Sequence, residues 1–289
     1  MITDESTALQ LLISILNSRT KKYLRPNSGI LFSGGVDSSL ITALTMKHIP
    51  DIKLFTIGIE GSNDILWAKK AAGLIGLDKN LCCRIITLND IDSIIPKIIG
   101  IVKTTDPMTV SLGIPLYILC TEAKAQNIDI LLTGQGADEL FGGYHRYSEI
   151  AKDGIDALHT AIVADVSAMP GRDIKRDKAV SEAAGVELIT PFFDTEVIRI
   201  GLSISAGLKV KEINTEIVSK YILRKAAVQI LPEDIAWRDK KAFQYGSGVW
   251  ASIEKLARLN GFRKQDKGYI RQYLNSMAKE NRIRLDETS

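Results

Sequence analysis

A group of small and oxygen-bearing residues directly follows a short apolar stretch near the N-terminus. The group consists of Ser33, Gly34, Gly35, Asp37, Ser38 and Ser39. Glycine lets the backbone turn tightly and approach a ligand closely, and the N–H groups at the start of a helix bind anions. Asp37 would repel a phosphate unless a cation such as Mg²⁺ lay between them. The pattern therefore predicts a loop that binds phosphate together with Mg²⁺.

The same residues also fit a simpler interpretation, in which a strand turns into a helix and Ser or Asp side chains cap that helix. The loop is not a Walker loop, because no lysine follows its glycines, and it lacks the G-x-G-x-x-G spacing of dinucleotide-binding proteins. We favour phosphate binding because the whole pattern Ser-Gly-Gly-x-Asp-Ser-Ser follows a candidate strand.

A second stretch with the same layout lies about a hundred residues later, at residues 131–144 (LLTGQGADELFGGY). An apolar strand candidate leads into a glycine turn, which is followed by Asp138 and Glu139. In a parallel sheet the carboxyl ends of the strands open on one edge, so the two loops can face each other. We expect Asp37 and Asp138 to share Mg²⁺ there. The alternative is a glycine-rich connection with a solvated acidic pair.

The elements that must position these loops alternate between strand and helix. Strand candidates lie at residues 29–32, 54–59, 84–88 and 128–132, and helix candidates at residues 9–23, 37–48, 64–75 and 114–125. The strands are mostly apolar, as in parallel sheets buried on both faces. We therefore predict an α/β fold, a parallel twisted sheet with helices on both faces.

The second half of the chain has few strand signals and reads as mostly helical. Helix candidates lie at residues 150–169, 180–184, 196–202, 216–230, 250–258 and 268–285. We expect a helical extension at residues 1–28, an α/β core at residues 29–147 and a mostly helical part at residues 148–289. The last part should pack on the core and complete the active site.

The composition excludes several classes of protein. The 289 residues are 45% hydrophobic and 25% charged, which excludes a disordered or low-complexity chain. A net charge of +3 gives no argument for a nucleic-acid or membrane-surface partner. No apolar run reaches the roughly 18 residues that a membrane helix needs. Cys82, Cys83 and Cys120 form no zinc or disulfide pattern, which favours a cytoplasmic location.

Five stretches together resemble a known family. Along the chain they are residues 33–39 (SGGVDSS), 104–117 (TTDPMTVSLGIPLY), 133–144 (TGQGADELFGGY), 185–194 (GVELITPFFD) and 222–248 (ILR…LP…WRDK…F…G). In this order they resemble the synthetase domain of asparagine synthetase and its relatives, the β-lactam and carbapenam synthetases. The resemblance implies an adenine nucleotide alpha hydrolase-like fold and N-type ATP pyrophosphatase chemistry. ATP would be split into AMP and pyrophosphate, a carboxylate would be adenylated, and ammonia or an amine would accept the acyl group.

The resemblance also implies roles for individual residues. The residues that it places on ATP and its pyrophosphate are Leu31, Ser33, Gly34, Gly35, Asp37, Ser38, Ser39, Ile57, Gly58, Gly134 and Gln135. Asp37 and Asp138 would bind Mg²⁺, with Glu139 as a further acid beside them. Lys240 would contact the transferring phosphate, while Glu187, Arg176 and Asp173 would lie near the acyl acceptor.

The sequence departs from the family pattern in ways that leave the substrate open. Gln135 stands where many asparagine synthetases have Glu, and Ile189 and Ser111 stand at or near common Arg positions. An Arg fork is the usual partner of a carboxylate, so aspartate is not assured as the acyl substrate. Only 28 residues precede Gly29, so we expect no glutaminase domain here. The nitrogen would then come from ammonia, from an amine or from a separate glutaminase subunit. The sequence leaves open whether the chain forms a homo-oligomer.

Two other functions are compatible with these motifs. One is another N-type ATP pyrophosphatase reaction, such as tRNA modification, which would favour a basic groove or zinc cysteines. The other is a nucleotide-binding protein that has lost catalysis, which Gln135 keeps open because an amide cannot accept a proton as Glu does.

Overall fold

A parallel five-stranded sheet forms the centre of the molecule. The computed structural model describes residues 1–238 and 247–286. The strands are β1 (Ser28–Leu31), β2 (Lys53–Gly58), β3 (Leu81–Ile85), β4 (Ile130–Leu132) and β5 (Glu187–Ile189). Their order is β3-β2-β1-β4-β5, and every neighbouring pair is parallel. The chain extends the sheet in one direction from β1 to β3 and then returns to the other side of β1, so the topological switch point lies between β1 and β4.

Helices cover both faces of this sheet. In the part of the chain that the structure describes, they are α1 (Glu5–Tyr23), α2 (Val36–Met46), α3 (Asn63–Leu74), α4 (Leu88–Val102), α5 (Pro107–Ala125), α6 (Ala137–Phe141), α7 (His145–Ile150), α8 (Ile155–Ala168), α9 (Asp173–Ala183), α10 (Thr195–Ser203), α11 (Tyr221–Val228), α12 (Glu233–Ala236), α13 (Val249–Leu259) and α14 (Tyr269–Glu280). The predicted α/β fold class is confirmed. No helix among the described residues is long and apolar enough to cross a membrane.

Two apolar clusters hold the helices against the two faces. Ile30 and Leu132 lie in the cluster that includes α1, α2, α8 and α11. Leu131 lies in the other, with α4, α5, α13 and α14. Neighbouring residues of a strand point to opposite faces of the sheet. Leu131 and Leu132 therefore pack in different clusters. The first cluster contains residues from 8 to 236, and therefore combines side chains from all three predicted parts of the chain.

Helix α4 lies in a segment for which the sequence predicts a strand at residues 84–88 and no helix. The strand is observed earlier, at Leu81–Ile85, and the helix begins at Leu88. Thr87 and Asp90 form a capping box, in which each side chain accepts a hydrogen bond from the other residue's backbone N–H. This T-x-x-D signal is local, and it fixes the start of α4.

The helix predicted at residues 216–230 is wrong over its first part. Residues Glu216–Val218 form β7, which pairs antiparallel with β6 (Lys211–Ile213). Asn214 and Thr215 join the strands with φ values of 49° and 70°, as two-residue hairpin turns require. Helix α11 begins only at Tyr221. The edge strand β5, at a position where the sequence predicts no strand, is only three residues long.

Lys209, just before β6, is a buried lysine. Its side chain has no solvent exposure, and its Nζ has no hydrogen-bond partner among the described residues. Burial disfavours the charged form and lowers the pKa of Lys209 from 10.5 to about 7. The folded chain therefore binds fewer protons than the unfolded chain between about pH 7 and 10.5, and stability should rise with pH across this window.

We expect Lys209→Met to raise the free energy of unfolding by a few kcal/mol at pH 7, because the unpaired buried amine is removed. The gain should shrink as the pH approaches 10, where the unfolded lysine also loses its proton. Urea unfolding of both proteins at pH 7 and pH 10 measures this, with exposed Lys264→Met as the control. A gain in the free energy of unfolding that was equal at pH 7 and pH 10 would contradict the lowered pKa of Lys209.

Candidate active site

The two glycine loops meet at the switch point. A Cβ built on Gly134 would lie 2.7 Å from the Ser38 nitrogen and 2.8 Å from the Asp37 Cβ. Real Cβ atoms do not approach so closely, so only glycine fits where the second loop touches the first turn of α2. The expectation that the loops face each other is confirmed.

The first loop leaves a helix N-terminus available to an anion. Gly35 precedes α2 and makes no side-chain cap, so within the described residues the N-cap position leaves the first N–H groups of the helix available to a ligand. Gly34 has a φ of 66°, and a Cβ there would lie 2.7 Å from the Trp67 carbonyl oxygen. The hydroxyl of Ser39 is buried and has no partner within the described residues. These donors suit phosphate oxygens.

Lys220 lies between the two predicted metal ligands. Its Nζ is 2.7 Å from Asp37 Oδ2 and 2.6 Å from Asp138 Oδ1, and its side chain is only 6% exposed. Burial opposes the charge of this ammonium, but Asp138 and Asp37 outweigh burial and raise the pKa of Lys220 above its ordinary value. The site therefore holds a charged lysine at neutral pH.

The acids also fit the requirements of Mg²⁺. Asp37 Oδ1 is buried and has no hydrogen-bond partner among residues 1–238 and 247–286, and carboxylate oxygens are hard ligands. Within the same residues no three His, Cys, Asp or Glu side chains form a metal-sized group. Two carboxylates alone would leave most of the octahedral positions to phosphate oxygens and water, which is usual for Mg²⁺ at nucleotide sites.

A buried network of charges adjoins the second loop. The Arg176 guanidinium lies 2.6 Å from Asp177 Oδ1 and 3.1 Å from Asp173 Oδ1. Burial raises the pKa of Asp177, although Arg176 and a hydrogen bond from the Gln135 side chain act in the opposite direction. Gln135 follows Gly134, so this network connects α9 with the loop that touches Asp37.

Comparison with known proteins assigns the chain to a family. The sequence model of the family described as Asparagine synthase matches residues 24–154 and 149–282. These ranges contain both glycine loops, Lys220 and α9. The chain belongs to the asparagine synthase family.

Relatives within this family carry longer chains. A Methanocaldococcus jannaschii protein named "Putative asparagine synthetase 1", described as glutamine-hydrolyzing, is 36% identical over 266 residues, which cover 82% of this chain and 49% of the relative. Asparagine synthetase B of Escherichia coli K12, also named as glutamine-hydrolyzing, is 29% identical over 265 residues, with coverages of 86% and 46%. The chain thus spans about half the length of these curated relatives.

The structure places most of the family-implied residues around the same edge of the sheet. Leu31 ends β1 and Gly58 ends β2, one residue after Ile57. These ends adjoin the first loop, and the resemblance assigns all three residues to ATP binding. Glu139 is buried and accepts a hydrogen bond from Tyr144, and burial raises its pKa. The functional roles assigned to Leu31, Ile57, Gly58 and Glu139 stay predictions.

Glu187 lies apart from this group. It is exposed at the start of the edge strand β5, in register with Ile130 at the start of β4. The loops of the site follow the opposite, carboxyl ends of the strands. This geometry does not support the predicted catalytic role of Glu187 in this asparagine synthase family member. Ser111 is also engaged elsewhere, because its hydroxyl donates to the Met108 carbonyl within α5.

Lys240 lies outside the described residues, but the residues on either side of its segment contact the site. Arg238 Nη1 donates to the Ser33 carbonyl at 3.0 Å, and its guanidinium lies 4.6 Å from the Trp67 ring centroid. At the other end, the Ser247 carbonyl accepts a hydrogen bond from the Ile59 N–H at 3.0 Å. Both attachment points adjoin the ends of β1 and β2.

Sequence reasoning missed Lys220. The residue has a φ of 56° and immediately precedes α11, within a stretch for which the sequence predicts one continuous helix. Recognising the hairpin before it would have exposed this lysine as the residue that leads from the second, two-stranded sheet into α11.

Proposed function

We propose that the chain catalyses ATP-dependent amide formation, in which a carboxylate is adenylated and then transferred to ammonia or an amine. One observation carries this proposal. In a member of the asparagine synthase family, Asp37 and Asp138 converge on one ammonium at the switch point of the sheet, beside a helix whose N-cap residue is Gly35. Such a point is where open α/β sheets bind their ligands.

The first half-reaction would consume ATP at the first loop. An oxygen of the substrate carboxylate attacks the α-phosphorus, the bond to the bridging β-phosphate oxygen breaks, and pyrophosphate leaves. The N–H groups at the start of α2 and the hydroxyl of Ser39 would hold the departing pyrophosphate. Asp37 and Asp138 would hold Mg²⁺, whose positive charge would offset the negative charge of the phosphate oxygens. Lys240 would stabilise negative charge on the transferring phosphate.

The second half-reaction would form the amide. The nitrogen lone pair of ammonia or an amine attacks the acyl carbon, the bond to AMP breaks, and the nitrogen loses a proton. Aspartate is the first acyl substrate to test, since the relatives are named asparagine synthetases. We assign the entry of ammonia or the amine to the buried Arg176 network beside Gln135, because the resemblance puts Arg176 near the acyl acceptor. A separate glutaminase subunit is one proposed source of ammonia.

We expect ATP turnover to yield AMP and pyrophosphate in amounts equal to the amide formed. The experiment supplies α- and γ-labelled ATP, Mg²⁺, aspartate and, in parallel arms, ammonium chloride or labelled glutamine. Ammonium should support product formation by this chain alone. Asp37→Asn should lose most of the activity, while exposed Asp51→Asn, which lies outside the site, should retain it.

ADP as the main nucleotide product would refute the proposed reaction. Glutamine-dependent amide and glutamate release by this chain alone would refute the proposed nitrogen source. If aspartate is inert, mass-spectrometric screening of other carboxylates with ATP and ammonium identifies the acyl substrate.

A further inference from the structure

The ammonium of Lys220 occupies the space between the two carboxylates that would bind Mg²⁺. It contacts one oxygen of Asp37 and one of Asp138, at 2.7 Å and 2.6 Å. A Mg²⁺ ion binds oxygen ligands at about 2.0–2.1 Å and requires octahedral positions around itself. The ammonium and a metal ion that bridges the same two oxygens therefore cannot be present together.

The fold holds the lysine side chain against both carboxylates, so a metal ion that binds the same oxygens must displace the ammonium from them. A Cβ built on Gly143 would overlap both Lys220 Cε and Asp138 Oδ1, so the chain after α6 packs directly against the pair. The Tyr221 N–H donates to the Lys209 carbonyl at 2.8 Å and fixes the backbone next to Lys220. The ion pair is thus built into the folded chain.

Charge explains what this arrangement does. Two carboxylates that approach the same point repel each other, and the Asp37 side chain is buried while that of Asp138 is 36% exposed. The Lys220 ammonium offsets one of these two negative charges, so Lys220, Asp37 and Asp138 together carry a net charge of −1. A divalent cation from solution would have to displace a positive group and lose water that Mg²⁺ releases reluctantly.

We propose that Lys220 is a built-in counter-cation that keeps free Mg²⁺ out of the nucleotide-free site, so that the metal enters together with the triphosphate. The inference rests on the proposed function, because it takes Asp37 and Asp138 as the metal ligands for a nucleotide. The phosphates bring the negative charge and the oxygen ligands that the nucleotide-free site lacks. The lysine therefore sets the order of binding.

The test measures binding of Mn²⁺, as a paramagnetic substitute for Mg²⁺, to the full chain without nucleotide. Electron paramagnetic resonance counts free Mn²⁺, and water proton relaxation detects the bound ion. The wild type should bind Mn²⁺ weakly alone and clearly in the presence of α,β-methylene-ATP. Lys220→Met should bind Mn²⁺ alone more tightly, on the order of tenfold or more. Lys209→Met, which removes the neighbouring buried lysine, should behave as the wild type.

Tight nucleotide-free binding by the wild type, equal to that of Lys220→Met, would overturn the proposal. The wild-type comparison with and without α,β-methylene-ATP decides the question even if Lys220→Met fails to fold. Thermal unfolding gives a second readout, since Mg²⁺ should raise the melting temperature of Lys220→Met and leave that of the free wild type unchanged. None of these measurements needs turnover, so failure of the proposed ligase reaction and failure of this inference are separable.

Discussion

Replacement of Gly134 by alanine should remove most of the ligase activity and leave the chain folded. The added methyl group would lie within 2.9 Å of the Asp37 carbonyl carbon as well as 2.7 Å from the Ser38 nitrogen. These are backbone atoms of the first turn of α2, and they cannot rotate away. The two loops must therefore separate, and Asp138 moves relative to Asp37. A displacement near 1 Å at a reacting centre can cost about 100-fold in rate.

The measurement is kcat with ATP, Mg²⁺, aspartate and ammonium, together with circular dichroism and the melting temperature. Gly73→Ala is the matched control, because a Cβ on this α3 residue meets no atom within 4 Å. That variant should keep its activity and its stability. Gly134 has no left-handed φ, so the loss can be attributed to contact between the loops. Wild-type kcat in Gly134→Ala would show that the loops need not touch.

Replacement of Arg176 by methionine should destabilise the chain by about 3–5 kcal/mol, the usual cost of removing one partner from a buried ion pair. Asp177 would remain only 8% exposed, and Asp173 would lose its contact with Arg176. The burial that already raises the pKa of Asp177 would then act without the opposing guanidinium. In the variant the folded chain would bind a proton that the unfolded chain releases, so stability should fall as the pH rises above about 4.

Urea unfolding at pH 7 and near pH 4.5 measures both parts of this prediction. The loss in free energy of unfolding of Arg176→Met relative to the wild type should be smaller at the lower pH. Lys178→Met on the same helix is the control, since its side chain is 70% exposed and exposed ion pairs contribute little. A deficit equal to that of the control would show that the Arg176 network does not stabilise the fold.

The parts of this structure that the sequence predicts are those with local signals. Apolar strands that stop at glycine loops locate β1 and β4, and the parallel arrangement then brings Asp37 and Asp138 together. Lys220 has no such signal, because its position depends on a hairpin 211–218 and on packing against Gly143. The Gln135–Asp177 contact likewise joins residues whose partnership only the folded chain defines. The capping box of α4 does have a local signal, because its T-x-x-D pattern, Thr87 to Asp90, is visible in the sequence.

The strand order has a consequence for how the molecule folds. Asp37 and Asp138 follow adjacent strands that are about a hundred residues apart in the chain, and β2 and β3 are made between them. Closing so long a loop costs conformational entropy before the β1–β4 pairing returns any stabilisation. A nascent or partly unfolded chain that has not paired β1 with β4 therefore cannot bring Asp37 and Asp138 together. A ligand that spans both loops should accordingly slow global unfolding, and protection of β1 and β4 amides from hydrogen exchange should increase together when it binds.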